Sequence, residues 1–250
     1  MVKKLTFFLT QRIAWRLALE AALFGGFLWW STYDSTEFLF WTLYGAFLLW
    51  IYLQEQPERK RTRIMFWFFA ILSVGELKAL AETFPESASI GWVIVGFTIF
   101  FFFLVGITSF FIKQREFVYS LLSTTLFFLV AAWAFSFSGF FALMSALFLF
   151  CAVLLLFRGA FGFFDIAGRR RVWIVSAVIA FLALQAGFFL KLLPLGFLNA
   201  AAFLTLILFL MRDSVIAHYR GKLDIPFLLR GLAFFVGVAI LIFAGSQWSV

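Results

Sequence analysis

Residues 64–83 read IMFWFFAILSVGELKALAET, and the fold turns on whether this run crosses a membrane. Its first half is as apolar as any stretch in the chain. Its second half places Glu76, Lys78 and Glu82 within seven residues. Holding an ionisable side chain at bilayer depth costs several kcal/mol, so such a residue is a functional-site hypothesis by default. If the helix enters the hydrocarbon at Ile64, a rise of about 1.5 Å per residue carries Glu76 roughly 18 Å in, past the middle of the core. Lys78 and Glu82 lie nearer the outer surface and are i,i+4 neighbours that can pair. At about 100° per residue, Glu76 points away from both. It therefore needs a proton, a wet cavity or a partner on another helix.

The rest of the chain explains why a crossing is the natural reading. It is 65% hydrophobic and 13% charged, with a mean hydropathy of +1.06. Soluble domains have about 45–50% apolar and about 25% charged residues. So much apolar surface does not fit inside one water-soluble core, which predicts an all-α, polytopic transmembrane bundle forming a single integral membrane domain over residues 1–250. Phe supplies 41 residues and Trp 10; Phe suits hydrocarbon and Trp the interfaces. The one cysteine, Cys151, lies inside an apolar run and is expected to be a small packing residue. The Met1–Lys4 start resembles a signal-peptide n-region, but Gln11, Arg12 and Arg16 break the apolar stretch after it, and it reads as uncleaved.

Nine spans emerge at about 20 apolar residues each: 13–32, 36–53, 64–83, 90–112, 117–136, 139–157, 172–190, 194–211 and 226–245. Charge tests the number. With the N-terminus inside, alternation collects four basic residues before the second span (Lys3, Lys4, Arg12, Arg16) and four more at Arg59, Lys60, Arg61 and Arg63 on the inner side. Lys113, Arg115, Arg158, Arg169, Arg170, Arg171, Arg212, Arg220, Lys222 and Arg230 fall on the same side. That makes 18 of the 20 Lys and Arg residues, leaving Lys78 and Lys191. The positive-inside rule rarely separates loops so cleanly. Removing 64–83 would put every earlier or every later basic loop on the wrong side. The C-terminus then lies outside, and the site is a cell membrane such as a bacterial inner membrane.

The net charge of +8 belongs to these short clusters rather than to a binding stripe, so no nucleic-acid partner is expected. The expected partner on the inner side is a bilayer with anionic headgroups, contacted by Arg169, Arg170 and Arg171. In the first span Ala14, Ala18, Ala22 and Gly26 recur every fourth residue. Such a stripe lets another backbone approach, within the chain, in a protein partner or in a second copy. Arg16 and Glu20, also four apart, are on the opposite side and read as an ion pair. Gln185, mid-span in the seventh helix, is expected to hydrogen-bond to a neighbour. Asp34, Glu37, Glu82 and Glu86 form a possible outer acidic rim. The segment 212–224 reads as an extension of the eighth helix or as a solvated connector.

The lone histidine, His218, falls in an inner loop, and no zinc, P-loop, dinucleotide or nucleophile motif is present, so no cofactor or metal is expected. The four prolines all fall at span ends, unlike the broken helices of many transporters. The favoured function is a non-enzymatic membrane subunit or assembly partner of a larger system. The alternatives are a small transporter or flippase using Glu76 with Lys78 and Glu82, and a membrane-embedded enzyme whose inner arginines grip a lipid-linked phosphate.

Overall fold

The computed structural model describes residues 2–32, 37–53, 63–83, 87–107, 114–136, 142–164 and 168–245. Among them there are nine α-helices and no strand: α1 (Val2–Trp30), α2 (Glu37–Leu53), α3 (Arg63–Thr83), α4 (Ser87–Gly106), α5 (Arg115–Ser136), α6 (Ala142–Phe163), α7 (Arg169–Leu192), α8 (Phe197–Tyr219) and α9 (Ile225–Gly245). Five of these, α5 to α9, are long and apolar enough to cross a membrane, and α2 and α4 contain shorter apolar helices. Phe38, Trp92, Leu143, Leu192 and Leu241 each expose 71–86% of their surface. Large apolar side chains left this open are compatible with a lipid surround.

Each expected span has its helix, but several ends differ. α1 begins at Val2 rather than near 13, α6 runs through Arg158 to Phe163, and α7 begins at Arg169, so the three arginines form its first turn. α8 continues through Arg212 to Tyr219, which makes the first half of 212–224 helix rather than connector. Hydropathy locates the part of a helix that suits hydrocarbon. It does not see polar turns that continue the same backbone hydrogen bonding.

The chain forms two compact units, Met1–Leu122 and Ser123–Val250, divided within α5. In unit 1, α4 packs against α1 and α3. The core is a set of rings around the fully buried Phe24. Its ring lies parallel to Phe101 at 4.1 Å, with Phe69 at 5.7 Å and Tyr44 at 6.2 Å. Offset ring pairs of this kind add about 0.5–1.5 kcal/mol beyond the area they bury. Gly25 makes the close α1–α4 approach possible, because a Cβ there would run into the Thr98 hydroxyl.

In unit 2, α6 packs on α7, α7 on α8, and α8 on α9. Phe127 meets Phe157 at 5.0 Å, and Trp133 meets Phe148 at 4.3 Å. The α8–α9 turn is written in the sequence. Gly221 adopts φ +66°, a region open to glycine at no steric cost. Lys222 N–H donates to the Ala217 carbonyl at 2.8 Å and Gly221 N–H to His218 at 3.1 Å, the two bonds of a Schellman close. Asp224 then caps α9 by accepting the Phe227 N–H at 2.8 Å, with Pro226 beside it in the first turn. α9 reaches α8 through Phe203 against Phe235 and Phe243, and none of its residues is buried.

Candidate functional site

The α3 helix sets buried polar groups on one face. Tyr44 of α2 donates its hydroxyl to the Ala70 carbonyl at 2.7 Å, and Ser73 donates to the same carbonyl at 3.1 Å. Glu76, three residues beyond Ser73 and hence on its face, is 4% exposed. Its Oε1 is buried and has no hydrogen-bond partner among the described residues. An orphaned buried acceptor costs about 1–3 kcal/mol, more for a charged group. Lys78 is partly exposed and has interactions of its own. The side chain of Glu82 lies outside the described residues, and so do those of the rim residues Asp34, Glu37 and Glu86.

In α1, Arg16 Nε donates to Glu20 Oε1 at 2.8 Å. Arg16 is half exposed and Glu20 is fully buried, the arrangement of a guanidinium that snorkels while its partner stays deep. Glu20 Oε2 is buried and unpartnered. Gly25 meets Thr98 while Phe24 meets Phe101, so α1 and α4 are antiparallel. Phe69 meets both Phe97 and Phe100 and Phe66 meets Phe101, so α3 is antiparallel to α4 and parallel to α1. Phe24 and Phe69 are level, which separates Glu20 from Glu76 by about 16 Å along the helices. The two carboxylates are two sites.

The small-residue stripe faces away from the fold. Ala14 is partly covered, and Ala18, Ala22 and Gly26 are exposed. Nothing lies within 4 Å of where a Gly26 Cβ would be. Gln185 is exposed on α7 and makes no hydrogen bond among the described residues. A mid-span position gives depth but not azimuth, and this one points outward. Cys151 is likewise exposed rather than packed. Arg170 and Arg171 are exposed on the first turn of α7, and the side chain of Arg169 lies outside the described residues.

Arg212, expected among the inner basic loops, is instead the largest fully buried side chain described. Its Nε and Nη2 donate to Asp213 Oδ1 at 3.0 and 2.9 Å. Its Nη1 donates to Ser123 and, at 3.2 Å, to Thr124 of α5. Its guanidinium stands 5.0 Å over the Phe209 ring. One signal for this is present in the sequence: no Pro or Gly interrupts 197–220, so Arg212 has to ride on the helix rather than leave it. Lys191 lies in the last turn of α7, 3.5 Å from Ser145 Oγ and 5.8 Å from the Phe135 ring centre.

Among the described residues no cluster of three His, Cys, Asp or Glu side chains is arranged to hold a metal ion. No protein-family model matches the chain, and neither a curated protein nor a solved structure shows significant similarity to it.

Proposed function

We propose that this chain is a nine-span protein of a cell membrane, N-terminus inside and C-terminus outside, that serves as a non-enzymatic membrane subunit or assembly partner. The observation that carries this reading is the outward face of α1. Ala18, Ala22 and Gly26 are exposed there, with Trp15, Leu19, Leu23 and Trp29 exposed beside them. Large side chains run beside this line of small ones, and helices pack closely through small residues. Gly25 and Gly26 divide the work: the first admits α4, and the second meets nothing among the described residues. A second helix, from another protein or from a second copy, fits that face.

The nine-span topology draws support from tryptophan. Trp29, Trp41, Trp50, Trp92 and Trp173 are exposed and lie within about five residues of a helix end, the depth of the headgroup belts. Arg170 and Arg171, exposed on the first turn of α7, suit anionic headgroups on the inner side. That exposure also works against the lipid-phosphate enzyme, which needs those arginines to line a cleft.

Purification in a mild detergent tests the assembly reading. The wild type is expected to elute with a second protein or as a defined oligomer. Ala22→Leu is expected to release it without lowering the unfolding temperature. A clean monomer from native membranes contradicts it. Glu76 favours a second reading, transport of an ion, proton-coupled solute or lipid, because its buried Oε1 has no partner among the described residues. Transport that survives Glu76→Gln removes that reading.

A further inference from the structure

Between α8 and α9 lies a mostly apolar cleft of about 570 Å³ that carries a few polar side chains. Asp213, Ser214 and Arg230 line it partway along, with Phe227 and Leu228 on the side of the Gly221 turn and Phe209, Leu210 and Phe234 away from it. We propose that this cleft seats one phospholipid molecule, its phosphate on Arg230 and one acyl chain along the aromatic wall.

Charge argues for the phosphate. Asp213 faces the cleft, but its Oδ1 is taken by two nitrogens of the buried Arg212 at 3.0 and 2.9 Å. Its negative charge is thus already matched inside the helix pair. Arg230 is exposed and has no ion pair among the described residues. The cleft therefore presents one uncompensated guanidinium, a fork of donors that fits phosphate oxygens two at a time. The Ser214 hydroxyl lines the same cleft and can donate to a headgroup. At the start of α9 the Phe227 N–H is already taken by the Asp224 carboxylate.

Position and size argue for a lipid. Arg230 lies five residues into α9, about 7.5 Å along its axis, so the guanidinium is near the end of the span and the aromatic wall runs toward its middle. An acyl chain is far thinner than a helix, which is about 10–12 Å across. It is thin enough to enter, and the second chain of the lipid stays in the bilayer. Gly231 forms part of the wall, with the Leu210 side chain 3.5 Å from where its Cβ would be, so a large side chain at 231 must project into the space.

The test uses the full chain, delipidated in detergent and analysed by native mass spectrometry against dioleoyl phosphatidylglycerol and against dioleoylglycerol, which has the chains and lacks the phosphate. The wild type is expected to retain one phosphatidylglycerol and no dioleoylglycerol. Arg230→Gln is expected to weaken retention by about 10- to 100-fold, the worth of a charged hydrogen-bonded contact. Gly231→Phe is expected to abolish it, and Lys222→Gln, in the turn outside the cleft, to leave it unchanged. Elution volume checks that each variant is folded, and Arg230→Gln decides alone if Gly231→Phe is not. Equal retention by wild type and Arg230→Gln overturns the proposal, as does equal binding of dioleoylglycerol. A photo-crosslinker at position 231 that captures a protein segment in place of lipid overturns it too. The outcome is independent of the α1 stripe, which lies in the other unit.

Discussion

In unit 2 the guanidinium of Arg212 is fully buried, and a carboxylate, two hydroxyls and an aromatic face surround it. In unit 1 two carboxylates are buried just as deeply, and each keeps an oxygen with no partner among the described residues: Glu20 Oε2 and Glu76 Oε1. Burying a charge costs the same physics in both places. A satisfied charge behaves as structure, because removing any one group strands the others. An unsatisfied acceptor is a cost to the fold rather than a support for it, and it is available to meet something else. The core that holds unit 1 together is its ring stack, which needs neither carboxylate.

The largest effect expected from this contrast is at Asp213. Asp213→Ala leaves Arg212 buried with hydroxyls alone and should cost about 3–5 kcal/mol, read as unfolding in detergent. Adding Arg212→Met should recover much of the loss, since the stranded charge is gone. A single-variant cost below about 1 kcal/mol would mean the guanidinium is hydrated after all. Phe24→Ala should come next, at about 3 kcal/mol, because it opens a cavity where four rings meet. If it costs less than Glu76→Gln, the ring stack is not the core of unit 1. Glu76→Gln itself should change stability by no more than about 1 kcal/mol. A larger loss would reveal a partner for the carboxylate and move Glu76 to the structural class. Gln185→Leu, on an exposed face of α7, should stay within about 0.5 kcal/mol.

Much of the helical layout was legible in the chain. Apolar runs of bilayer length locate helices because the requirement on them is so strong, and the Arg16–Glu20 spacing anticipated the ion pair seen in α1. What hydropathy could not supply is the azimuth of a polar residue. Gln185 and Ser176 are both polar residues in α7; the first is exposed and the second fully buried. Their surroundings depend on which neighbour packs on which face, and that is tertiary information. The burial of Arg212 was illegible for a related reason. Positive charge near a span end is ordinarily assigned to the headgroups, whereas here Ser123 and Thr124 of α5, some ninety residues earlier, meet it in the interior. The stripe Ala18, Ala22, Gly26 was legible as a packing surface, but not as one left exposed among the described residues.

That exposed stripe is the centre of the functional account, and a photo-crosslinker placed at Ala22 in native membranes probes it most directly. The same group at Gln185, exposed on α7, is the comparison. The account predicts a discrete protein adduct from position 22, lost when Ala18 is also changed to Leu, and lipid adducts only from position 185. Lipid adducts alone from both positions would contradict it.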